Sequence, residues 1–138
     1  MYKHTVNYVD FNGNERKEDL YFHLTSVEVL RIEAEVGKDL QDHIKELVDN
    51  QDLNSLLAFL EKMLLNSYGK KTSDGRAFHK DKRIRDEFEY SQAYAEVFED
   101  LMNDPELAKK FGENLSAKNK KSKNQFDPKV YVNNKEEE

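Results

Sequence analysis

The chain has no cysteine among its 138 residues. That single gap removes disulfide frameworks, thiolate metal sites and cysteine nucleophiles together. Long apolar runs are missing too. No stretch approaches the ~20 residues that cross a bilayer, and the N-terminus has no signal-peptide core. A soluble intracellular protein without membrane contact is the expectation. Hydrophobic residues are scarce, at 37%, against 36% charged. That balance favours thin helical layers over a thick mixed core, and such layers leave apolar stripes that a second copy or a partner must cover.

Acidic charge predominates, but unevenly. The net is −6, yet from Glu113 onward six lysines face five acids, so residues 1–112 carry −7. An acidic body repels phosphate backbones, and nucleic acid is not an expected partner.

The first 24 residues read as a β-hairpin. His4, Val6 and Tyr8 alternate with Lys3, Thr5 and Asn7, Asn12-Gly13 suits a turn needing positive φ, and Leu20, Phe22 and Leu24 return on one face. Two strands alone are marginal in water and need helices or another subunit. Thr25 and Glu28 form a Thr-x-x-Glu capping box before a helix carrying Val29, Ile32 and Val36, with Gly37 as its stop. A second helix carries Leu40, Ile44, Leu47 and Val48. The third is the best supported: Leu53, Leu56, Leu57, Leu60, Met63, Leu64 and Tyr68 follow helical spacing, with Gly69 at the end. Phe59 and Leu65 widen its stripe, which marks it as central. Three shorter helices follow, carrying Ile84 and Phe88; then Tyr94, Val97, Phe98, Leu101 and Met102 behind a Ser91 cap; then Leu107 and Phe111 between Asp104-Pro105 and Gly112. The charged segment after Glu113 reads as a disordered tail.

Each candidate for chemistry meets a plainer reading. Gly69-Lys70-Lys71-Thr72 imitates the end of a phosphate loop. However, Lys71 stands where Ser or Thr belongs, Leu64 stands where the first Gly belongs, and a helix precedes it instead of a strand. Of His4, His23, His43 and His79, none pairs with another at helical spacing. Asp39, His43 and Glu46 share a helix face that reads as solvated, so neither a metal nor a cofactor is expected. Of Glu33 with Glu35, Asp86 with Glu87 and Glu89, and Glu99 with Asp100, most alternate with apolar helix positions and are expected to point to water, not to converge as an acid–base pair. Lys118, Lys120, Lys121 and Lys123 lack the interleaved aromatics of a stacking platform. No enzyme is indicated.

One block is more specific. Tyr68, Gly69, Lys71, Asp74, Gly75, Arg76 and Phe78, followed by Phe88, Ala93-Tyr94 and Leu101, resemble a pattern in tail assembly chaperones of long-tailed bacteriophages and prophages. The resemblance implies a largely helical protein of the host bacterial cytoplasm. It would bind the tape-measure protein, keep it soluble, promote tail-tube assembly and be absent from the finished virion. It also implies self-association as a homo-oligomer, with the major tail tube protein and a frameshifted longer form of the chain as further partners. Lys120-Lys121 marks a place where A-rich codons could supply the slip site. Amphipathic helices aggregate unless covered, and aromatic or Met-rich surfaces adapt to them.

The expected architecture is therefore mainly α: a short-helix bundle over residues 25–112, with an N-terminal β-hairpin over 1–24 and a disordered charged tail over 113–138. The expected partner-binding residues are Phe59, Met63, Tyr94 and Phe98. Gly69, Asp74, Gly75, Arg76 and Phe78 form a hinge in which Asp74-Gly75 turns the chain, Phe78 tucks onto the helices and Arg76 seeks an acid. The competing expectation is a small prophage-encoded regulatory or host-inhibiting binding module.

Overall fold

The computed structural model describes residues 1–115. The hairpin forms as expected. Strands β1 (Tyr2–Val9) and β2 (Glu15–Phe22) pair antiparallel from Tyr2↔Phe22 to Val9↔Glu15 without a bulge. The turn is closed by Asp10, whose carboxylate accepts from the N–H groups of Asn12 and Asn14 at 2.9 and 3.0 Å, while Gly13 takes φ +82°. Tyr2, His4, Val6, Leu20 and Phe22 point into the core, and the intervening residues of β1 face solvent.

Helix α1 (Ser26–Val36) opens on the capping box: Thr25 N–H donates to Glu28 Oε1 at 2.9 Å and Glu28 N–H to Thr25 Oγ1 at 3.2 Å. Gly37 ends it in the left-handed region at φ +79°. Helix α2 (Leu40–Asp49) and helix α3 (Leu53–Ser67) follow. Tyr68 does not continue α3. Ser67 Oγ donates back to Met63 O at 2.5 Å, Ser67 O accepts from His23 N–H at 2.8 Å, and the chain turns directly into a strand.

That strand extends the sheet beyond the N-terminal hairpin. β3 (Tyr68–Lys71) and β4 (Phe78–His79) make a second hairpin, and β3 joins β2 through Tyr21↔Gly69 and Phe22↔Tyr68. The sheet has four antiparallel strands in the order β1-β2-β3-β4. With six helices and 57% helix, the described residues are mixed α/β, not a plain helical bundle. The stretch read as a connector shows no period-two alternation, and Tyr68 extends the helical spacing of α3. Only pairing with β2 makes it sheet.

Helices α4 (Lys82–Glu89), α5 (Gln92–Asn103) and α6 (Pro105–Asn114) begin on Asp81, Ser91 and Asp104, whose side chains accept the N–H groups of Ile84, Tyr94 and Leu107. Gly112 is not the stop expected of it. The helix runs through it, and a Cβ there would lie 2.6 Å from Ile44 Cδ1, so the glycine lets α6 approach α2. Leu115 is fully buried, and its carbonyl accepts from Leu24 N–H at 2.8 Å. The folded body thus runs past Gly112 through Leu115. The remainder of the expected tail, with Lys118, Lys120, Lys121 and Lys123, lies outside the described residues.

Phe22 is the hub of the core. Fully buried, it meets the rings of Tyr2, Tyr68, Phe88 and Phe111 at 6.1, 5.7, 5.7 and 5.9 Å. The last three are edge-to-face, and pairs of that kind add about 0.5–1.5 kcal/mol each beyond area burial. One residue of β2 thereby ties the sheet to α4 and α6.

Candidate partner-binding face

Helix α5 carries two apolar stripes. Ala93, Val97 and Leu101, four residues apart, are buried against the core. Tyr94, Phe98 and Met102, offset by one position, are only partly buried. Tyr94 stands edge-on to Phe88 at 5.2 Å and to Phe98 at 5.7 Å, while Phe88 stacks on Tyr68 at 4.0 Å. A continuous aromatic file therefore leads from Phe22 at the centre to Phe98 at the surface. Burial, with the carboxylates of Glu61 and Glu89 adding to it, pushes the Tyr94 phenol up to about 12. The hydroxyl stays neutral through the physiological range, and the stripe carries acidic groups at its margin. Such a face can bury the apolar side of another helix and favour cations at its edge.

The other two expected contact residues lie deeper. Met63 has no exposed surface and Phe59 is 9% exposed. Phe59 packs edge-on to the His43 ring at 4.7 Å. In this fold both lie in the core, Phe59 beside α2, and neither presents a surface with Tyr94 and Phe98. Helical spacing puts residues on one side of a helix; the neighbouring elements decide whether that side stays open.

The expected hinge is a tightly bonded turn. Thr72 and Ala77 pair through Thr72 N–H to Ala77 O at 2.9 Å. Asp74 Oδ1 accepts from Thr72 Oγ1 at 2.6 Å and from Arg76 N–H at 3.0 Å, and Gly75 takes φ +75°. These bonds hold the Asp74 carboxyl below the usual carboxylate range, with the Thr72 hydroxyl contributing most. Gly69 serves a different need: a Cβ there would meet His79 O and Phe78 Cε2 at 2.6 Å and Lys80 Cγ at 2.7 Å. Phe78 lies edge-on to the His23 ring at 6.1 Å, so it packs against the end of β2. The Arg76 side chain is exposed and makes no ion pair among the described residues.

Sequence reasoning missed three polar anchors. Lys80 Nζ, 19% exposed, donates to Glu28 Oε1 at 2.6 Å and His23 O at 2.9 Å, fastening the second hairpin to the start of α1. Burial raises the Glu28 carboxyl, but the Lys80 ammonium and the Thr25 bonds together outweigh it and hold the group below its ordinary value. Glu33, expected in water, is 2% exposed and accepts Leu40 N–H at 2.8 Å, so it caps α2 from α1. His4, also buried, shares a hydrogen bond between Nδ1 and the Tyr2 hydroxyl at 2.7 Å and one between Nε2 and Asp100 Oδ2 at 2.8 Å, pinning β1 to α5. For His4 the hint was its place on the apolar face of the strand's alternation; Lys80, among other charged residues, gave none.

The triplet Asp39, His43 and Glu46 is spent on other contacts. Asp39 caps α2, Glu46 pairs with Lys38, and burial lowers the His43 imidazole. Among the described residues no group of three His, Asp or Glu is placed to hold a metal ion, and no helix is long and apolar enough to cross a membrane.

Comparison with known proteins adds one finding. The sequence profile of the family described as phage tail assembly chaperone matches residues 1–127, which takes in every element of the fold. No curated protein and no solved structure matches the chain.

Proposed function

The chain belongs to the phage tail assembly chaperone family, and from that premise we propose that it binds the tape-measure protein in the host cytoplasm, keeps it soluble while the tail tube assembles, and leaves before the virion is complete. The family match carries this reading. The half-open stripe of Tyr94, Phe98 and Met102 supports it, because an amphipathic helix needs an adaptable apolar cover. The acids near Tyr94 favour a segment whose flanks carry Lys or Arg. In the same reading the chain associates with itself, with the tail tube protein and with a longer frameshifted form.

Co-expression with the tape-measure protein tests this. The partner should partition to the soluble fraction with the chain and to the pellet without it. Equal insolubility in both cases would refute the reading. Replacing Tyr94 and Phe98 together by Asp should abolish the rescue while far-ultraviolet circular dichroism stays helical. Rescue that survives in a folded double variant would move the contact elsewhere.

A further inference from the structure

The two ends of the sheet are finished differently. At one edge β4 is two residues long, too short to template another strand. At the other, β1 runs eight residues and, among the described residues, has a partner on one side only. Asp10 N–H bonds Asn14 O at 2.9 Å where the hairpin closes, and antiparallel ladders alternate bonded and non-bonded pairs. The main-chain groups of Tyr2, His4, Val6 and Tyr8 therefore face β2, and those of Lys3, Thr5, Asn7 and Val9 face outward. Among the described residues no strand, loop or side chain bonds to that outward row.

Solitary proteins guard such an edge with proline, a bulge or projecting charge. β1 has no proline and no bulge, and its one charge, Lys3, lies 3.6 Å from Asp19 of its own sheet. Thr5 likewise turns to Asp19, at 2.6 Å. The strand is also flanked by exposed apolar side chains at both ends, with Met1 42%, Val9 54% and Phe11 74% exposed.

We infer that β1 is the interface for a second copy of this chain, the two β1 strands pairing antiparallel about a two-fold axis to form one continuous sheet. The position of the strand's single charge, Lys3, near one end selects that direction. With Val6 opposite Val6 of the second copy, Met1 meets Phe11, Lys3 meets Val9 and Thr5 meets Asn7. The two lysines then stand about 20 Å apart, six strand residues removed. A parallel pairing in the same register would set Lys3 beside Lys3, like charge on like. This assigns a surface to the self-association proposed above, and its test uses the isolated chain.

Sedimentation velocity across a concentration series should show a monomer–dimer equilibrium for the full chain. Asn7→Pro removes an outward N–H without touching the β1–β2 ladder. It should raise the midpoint concentration more than about tenfold, with circular dichroism unchanged. If that variant fails to fold, Val9→Lys at an exposed position replaces it, with the same shift expected. Because the chain has no cysteine, disulfide trapping reads the register directly. The Lys3→Cys, Val9→Cys double variant should cross-link on oxidation, since bonded antiparallel pairs sit ~5.5 Å apart between Cα atoms, within disulfide reach. Lys3→Cys alone should not. A monomer at every concentration, a dimer indifferent to both edge variants, or ready cross-linking of Lys3→Cys alone would overturn the inference. A monomer that still rescues the tape-measure protein sinks only the edge pairing, whereas a dimer that fails to rescue sinks only the chaperone reading.

Discussion

Gly69 and Gly75 lie in one hairpin, yet replacing each with alanine should report a different force. At Gly69 the backbone is not in the left-handed region, so an added methyl suffers no conformational strain. Taken alone, the loss of glycine's unfolded-state freedom would favour Gly69→Ala by about 0.5–1 kcal/mol. The methyl would, however, lie 2.6 Å from the main-chain oxygen of His79 and 2.6 Å from Phe78 Cε2. The oxygen cannot yield without moving β4, so the upper part of the usual overpacking range, about 2–3 kcal/mol, applies. The net expectation is a loss of about 1–2 kcal/mol, or roughly 4–8 °C in Tm for a chain of this size. At Gly75 nothing lies within 4 Å of the new methyl, and the cost comes from φ +75°. A loss of about 1 kcal/mol is expected there. Urea denaturation of both variants decides the matter. Hydrogen exchange at Lys70 and Lys71 should quicken in Gly69→Ala, where the β3–β4 ladder is pushed apart, and change little in Gly75→Ala. A Gly69→Ala protein as stable as the parent would refute the close-approach argument.

Three further outcomes follow from the anchors. Glu33→Ala strands the Leu40 N–H in a site that is 4% exposed; a loss of about 1–3 kcal/mol in urea is expected, and Glu33→Gln, which keeps an acceptor, should recover most of it. Lys80→Met keeps the apolar stem but removes the ammonium shared by Glu28 and His23. Glu28 is 37% exposed, so screening limits the loss to about 1 kcal/mol, measured as a urea midpoint shift. Burial lowers the imidazoles of His23 and His43 below 6.5, helped by the N-terminal amine and Lys80 at His23 and by Lys38 at His43. A depressed folded-state value means the unfolded chain binds the proton first. The stability these groups contribute is therefore complete above about 6.5 and is lost as pH falls through their folded-state values. Tm should drop between pH 7.5 and 5.5, and less steeply in His43→Gln; a flat profile would contradict the assignment.

How legible each part was depended on the range of its signal. The Thr25–Glu28 box, the caps at Ser91 and Asp104, Gly37 and the Asn12-Gly13 turn all formed where the sequence placed them, because each is settled within about four residues. The stripe of α3 was legible too, but its consequence was not: Phe59 and Met63 sit at helical spacing whether α2 covers them or not. Tyr94 and Phe98 carry the same ambiguity and fall on its other side, half open.

What the sequence determined by itself was the apolar stripes of the helices, the caps at Thr25, Ser91 and Asp104, the stop at Gly37 and the first hairpin. Those depend on side-chain periodicity and on hydrogen bonds between near neighbours, which any isolated segment already contains. Tertiary structure alone decided that residues 68–79 complete a sheet, that Glu33 is buried, that Gly112 is a contact point and not an end, and that among the described residues nothing pairs with the outer side of β1. Each of these depends on which main-chain group or surface does or does not arrive from far along the chain, and only the folded chain settles that.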